Sequence, residues 1–219
     1  MAGHLASVRV ASQDAAVSFA RTAFLDSAAI VADLVERIRP DAWDGPGLGE
    51  WDLRALVGHT SRSLITVATY LQSTADAEDL PTPESYYVLI ASASPVDPAA
   101  IVERGRAAGA ALGDDPASAF RARIDDAAAV LDTRGDDDLV PTIAGGMRVG
   151  AYLMTRVVEL VVHGGDISTA TGLPVTFPPP VLAETAALAA RVAVGLGHGP
   201  VVLAALTGRA PLPSGFSVV

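Results

Sequence analysis

The chain contains no cysteine among its 219 residues. Disulfides are therefore excluded, and so is a protein thiol acting as nucleophile or metal ligand. Any thiol chemistry here must use a thiol brought in from outside. Lysine and asparagine are also missing, while Arg, Ala, Gly, Val and Asp abound. That bias looks like a high-GC bacterial genome. No basic patch occurs, and the formal charge of -10 argues against a nucleic-acid or anionic-membrane surface. The N-terminus lacks a basic segment followed by an apolar run, so no signal peptide is read. The most apolar late segment, 186–206, is broken by Arg191, Gly195, Gly197, His198 and Pro200 and makes a poor membrane span. The expected compartment is the cytoplasm. Aromatic residues are few, no internal repeat is visible, and no stretch alternates as a strand would.

What remains is a sequence rich in alanine, which favours helices. Apolar residues recur with helical spacing from Asp14 to Ile38, after a loose start at 1–13, and Pro40 ends the run. A loop at 39–50 follows. Asp52 is placed to cap a second helix carrying Leu53, Leu56, Val57, Leu64, Val67 and Leu71. Residues 72–97 read as a long crossover with a helical turn near 86–91. Helices are expected at about 98–112, then from Pro116 to about Thr133. An acidic turn at 135–138 and a loop at 141–146 lead to a helix over Arg148–Gly172. Pro178-Pro179-Pro180 precede a further helix to about Val194, and a short last helix covers 201–207. The expectation is one all-α domain over 1–219, with a helix bundle at 14–172 and a helical extension and tail at 178–219.

The stretch Arg148–Gly172 carries the most informative pattern. Arg156, Glu159, His163 and Asp166 are set into an apolar run at spacings of three, four and three. On a helix they form one narrow stripe with apolar residues on both sides, so the stripe looks into an interior or cleft. Charged groups held there need partners or a metal. Glu159 and His163 can reach a common point, and such a pair recurs in metal sites. A third ligand must come from elsewhere. Of the four histidines, His4 lies in the loose start and His198 in a Gly-His-Gly turn, whereas His59 sits on the second helix beside its apolar stripe. His59, Glu159 and His163 form a nitrogen and oxygen set that suits zinc, with nickel also compatible, and three protein ligands leave a position open for catalysis. Structural readings stand beside this one. Glu159 and His163 can be a simple ion pair, Arg156 can neutralise Glu159, Asp166 can cap locally or orient His163, and His59 can be a core histidine.

Three segments resemble the mycothiol-dependent maleylpyruvate isomerase family. Trp51-Asp52-Leu53-Arg54-Ala55-Leu56-Val57-Gly58-His59 resembles the start of that family's second helix. Arg156-x-x-Glu159-x-x-x-His163-Gly164-Gly165-Asp166, followed by Ala170-x-Gly172, resembles its second signature, with Gly165 where the family often has Trp. Leu206-Thr207-Gly208-Arg209 resembles its C-terminal motif. The resemblance implies a DinB-like four-helix bundle in which His59, Glu159 and His163 hold a divalent metal. It also implies use of mycothiol, the small thiol of actinobacteria, as cosubstrate.

The leading expectation is therefore a metal-dependent thiol S-transferase or isomerase. A metal-bound thiolate would attack a small electrophilic substrate, with Arg156 and Asp166 as supporting catalytic candidates. Two other readings keep the metal: a zinc hydrolase using bound water, and a non-enzymatic bundle that binds a metal or small molecule. Expected partners are the thiol and the electrophile, without nucleic acid or membrane, and a homodimer is one open arrangement. The crossover 72–97, the loop 139–148 and the C-terminal tail are expected to wall the pocket.

Overall fold

In a computed structural model the backbone is described for residues 2–93 and 98–218, and the side chains from Phe19 onward except at Pro98. Eight α-helices and one two-stranded hairpin make up the described fold: α1 (Ala2–Glu36), α2 (Leu53–Tyr70), α3 (Pro83–Ser92), α4 (Pro98–Ala110), α5 (Pro116–Leu131), β1 (Leu139–Thr142), β2 (Gly145–Arg148), α6 (Val149–Thr171), α7 (Pro179–Gly195) and α8 (Gly199–Leu206). The fold is all-α, as expected. Helices α1, α6, α2 and α5 close into a ring in which each packs on two others, giving the DinB-like four-helix bundle. Helix α4 lies along α2. Helices α3 and α7 pack on α6 and on each other, and α8 rests on α7. No described helix is long and apolar enough to cross a membrane.

Local chemistry explains most boundaries. The Asp52 carboxylate accepts from Ala55 N at 2.7 Å and caps α2. Asp115 caps α5 in the same way, ahead of Pro116. Gly172, at φ 71°, ends α6 in the left-handed conformation that glycine accepts without strain. Fully buried Phe24, Leu34, Leu56, Leu64, Phe120, Leu153 and Leu160 fill the centre of the ring.

Two expectations are corrected. Helix α1 begins at Ala2 rather than near Asp14; no proline occurs before Pro40 to interrupt it. Residues 139–148 are not a loop but the antiparallel hairpin, with Val140 opposite Met147 and both fully buried. Four-residue strands containing Pro141 and Gly145-Gly146 are too short to show alternation. Backbone hydrogen bonds hold the pair, and Asp79 anchors it by accepting from Gly146 N at 2.8 Å.

The acidic turn before the hairpin caps α6. Val149 N donates to the Asp138 carbonyl and Gly150 N to the Asp136 carbonyl, each at 2.9 Å. Arg21 of α1 reaches the same turn. It donates to the Leu131 and Arg134 carbonyls and forms an ion pair with the buried Asp136 carboxylate at 2.6 Å. The start of the site helix is thereby tied to α1 and to the end of α5.

Helices α2 and α4 approach closely where Gly58 faces Gly109. A Cβ added at Gly58 would collide with the Gly109 backbone, and one at Gly109 would lie 2.7 Å from the Arg54 carbonyl oxygen. Gly58→Ala must push the helices apart and is expected to cost about 3 kcal/mol of stability. Urea unfolding of the variant against the parent checks this.

Candidate metal centre

Helices α2 and α6 pack side by side in the ring and bring His59 against the Glu159–His163 face. One donor atom from each of the three residues lies within 4.8 Å of the other two. The imidazoles of His59 and His163 meet edge to face, with centroids 4.9 Å apart. His163 Nε2 stands 3.4 Å from Glu159 Oε2, and its Nδ1 lies 3.0 Å from Asp166 Oδ2. The carboxylate of Asp166 favours the proton on Nδ1 and leaves Nε2 turned toward Glu159. Asp166 is not one of the mutually close donors. His4 lies among residues whose side chains are not described. His198 lies outside the cluster, its ring packing on Phe216 with centroids 5.6 Å apart.

Surrounding groups set the charge state of each member. Burial, helped by the positive charge of His163, drives His59 down to about 4, so it is neutral near pH 7. Burial alone would raise Glu159, but hydrogen bonding to His163 and the charge of Arg156 outweigh it and hold the carboxyl at about 2. Burial would likewise lower His163, but hydrogen bonds to Asp166 and Glu159 raise it to about 9.

Arg156 is buried and makes no ion pair with Glu159 among the described residues. Its guanidinium lies 5.3 Å from the ring centre of Tyr86 and 5.1 Å from that of Tyr152. Its Nε donates to Thr155 Oγ1 at 3.0 Å. The charge therefore acts on Glu159 through space.

Two site residues escaped the sequence reading. Tyr87 of α3 shares its hydroxyl proton between the Thr155 carbonyl at 2.8 Å and Glu159 Oε1 at 3.0 Å. Tyr86 covers Arg156. The one available signal was a Tyr-Tyr pair in a chain with only four tyrosines. All four gather here, since Tyr70 also packs on Tyr152 at 5.7 Å. Trp51, part of the motif around His59, lies against its imidazole with centroids 4.5 Å apart. The crossover thus walls the site through α3. The hairpin is tied instead to residues 75–80 of the crossover. Gly165 meets nothing within 4 Å of an added Cβ, so the wall is open at that position.

These residues fit a divalent ion. The set is two imidazoles and one carboxylate, the carboxylate is held ionised, and His59 Nδ1 is buried without a hydrogen-bond partner. The sequence model described as the mycothiol maleylpyruvate isomerase N-terminal domain matches residues 24–168, about two thirds of the chain, and includes all three residues. The chain belongs to this family. The matched part of the isomerase family domain takes in the ring helices α2 and α5 whole, with most of α6 and residues 24–36 of α1; the C-terminal Leu206–Arg209 motif lies beyond it. No curated protein and no solved structure matches the chain.

Without an ion, His163 holds its proton more tightly when folded, at about 9, than its ordinary value of 6.5. The interaction therefore stabilises the fold fully below about pH 6.5 and is lost as pH rises through about 9. Chelator-treated protein is expected to lose roughly 2 kcal/mol of stability over that interval in urea titrations. A His163→Gln variant should flatten the dependence.

Proposed function

We propose that the chain is a divalent-metal-dependent, mycothiol-using S-transferase or isomerase acting on a small electrophilic substrate. The carrying observation is the convergence of His59, Glu159 and His163 donor atoms within 4.8 Å. Family membership supports a mycothiol-related activity. Zinc suits the nitrogen and oxygen set best, with nickel as the runner-up. A divalent ion held there would supply the positive charge that lets a small thiol lose its proton near neutral pH.

The chain's own residues do the rest. Asp166 orients the His163 imidazole, and Trp51 fixes the plane of His59. The Tyr87 hydroxyl steadies one oxygen of Glu159, leaving the other facing His163. Arg156, braced by two tyrosine rings, puts a fixed positive charge beside the cluster, where it favours a substrate with an anionic group. With no cysteine in the chain, the attacking sulfur comes with the cosubstrate.

Metal analysis of purified protein should give about one divalent ion per chain, and His163→Ala or His59→Ala should lose it. Ion uptake at neutral pH should displace close to one proton, since His163 alone of the three holds one there. Calorimetry in buffers of different ionisation enthalpy measures that number. Mycothiol titrated into the metal-loaded protein should bind. Retention of the ion by His163→Ala removes the proposed ligand set, and absence of mycothiol binding removes the thiol reaction.

A further inference from the structure

Beside the cluster, but on another face of α6, lies a cavity of about 220 Å³. Its walls come from three elements and the tail: Tyr87 of α3, Val158 and Val162 of α6, Thr185 and Leu188 of α7, and Phe216–Val218. Among the described residues no charged side chain lines it. Tyr87 is the one member shared with the metal centre, its ring forming the wall here while its hydroxyl holds Glu159. The tail closes one side through a turn, Phe216 N donating to the Pro213 carbonyl at 3.1 Å.

Thr185 is the telling residue. Threonines elsewhere on the helices turn their hydroxyls back to a carbonyl of the preceding turn: Thr60 to Leu56 at 2.8 Å, Thr155 to Tyr152 at 2.6 Å, Thr171 to Ile167 at 2.7 Å. Thr185 is more than nine-tenths buried, yet its hydroxyl has no partner among the described residues. An orphaned buried hydroxyl is costly and uncommon, so one on a cavity wall points to a ligand that completes it. One staggered rotation about χ1 moves the hydroxyl to another of the three positions on Cβ, so the group can follow a ligand's polar atom.

We propose that this cavity binds a small neutral molecule with an apolar body and one hydrogen-bonding group, which pairs with the Thr185 hydroxyl. A charged ligand is disfavoured, because no described lining residue would compensate its lost hydration. Size follows by comparison: an apolar cavity of about 150 Å³ takes benzene, so this one takes about nine non-hydrogen atoms. The occupant is therefore neither a polyhydroxylated thiol nor an acidic substrate of the metal centre.

The test uses the whole 219-residue chain, as isolated and after chelator treatment. The probes are 4-ethylphenol, its hydrocarbon analogue 4-ethyltoluene and the charged 4-ethylbenzoate, followed by amide chemical shifts. 4-Ethylphenol should bind saturably at one site, shifting resonances of Val162, Thr185 and Leu188. It should bind about tenfold more tightly than 4-ethyltoluene, the worth of one buried hydrogen bond. 4-Ethylbenzoate should leave those resonances unmoved. Thr185→Val should erase the tenfold preference while sparing 4-ethyltoluene, and Ala189→Leu, which fills the cavity from another wall residue of α7, should weaken both neutral probes. The proposal is overturned if 4-ethylphenol fails to saturate below millimolar concentration, if its preference survives Thr185→Val, or if Ala189→Leu leaves binding unchanged. Probe binding that persists in chelated protein separates this outcome from the fate of the metal reading.

Discussion

An ionised carboxylate held at about 2 inside an apolar bundle is the constraint around which this structure is arranged. Leaving such a charge buried and unpaired costs several kcal/mol, against a total stability of about 5–15 kcal/mol for a domain. Glu159 therefore needs neighbours, and they arrive from separate parts of the chain. His163 comes from the next turn of α6, Tyr87 from α3, and His59 stands across on α2. Arg156 adds charge without touching the carboxylate. It stays buried because the faces of Tyr86 and Tyr152 substitute for water around its guanidinium. A chain poor in aromatic residues has placed all its tyrosines where one charged pair must be sheltered.

The sequence was most readable where periodicity and chemistry coincide. The stripe on α6 and the capped start of α2 could be placed because a helix enforces its own spacing, so Glu159, His163 and Asp166 share a face wherever the helix goes. Partnership with His59 needed a tertiary contact that periodicity does not encode; the choice rested on the scarcity of histidine and on the motif around it. Tyr87 was hidden because its role depends on where a crossover lands. The hairpin was hidden because its strands are short and its register rests on backbone bonds that leave no mark on residue type. The turn at 135–138 was legible only as an acidic turn. Its carbonyls, rather than its carboxylates, cap α6, and carbonyls are common to every residue.

Two environments of opposite character meet at one phenol. On one side Tyr87 offers a hydroxyl to a charged, nitrogen- and oxygen-rich cluster. On the other its ring faces a cavity with no charged lining. An amphipathic side chain can serve both because its polar tip and apolar body are separable. Helix α7, outside the four-helix ring, is what creates the second environment.

The tie between Arg21 and Asp136 spans 115 positions. Among the described residues helix α1 packs mainly on α5 and α6, so the ring cannot close until the sixth helix exists. During synthesis α1 and α2 would wait with apolar faces uncovered while the intervening segments emerged. Closure of such distant contacts is slow compared with helix formation. Assembly of this bundle is thus expected to be limited by the late docking of α6, the same step that completes the cluster of ligating side chains.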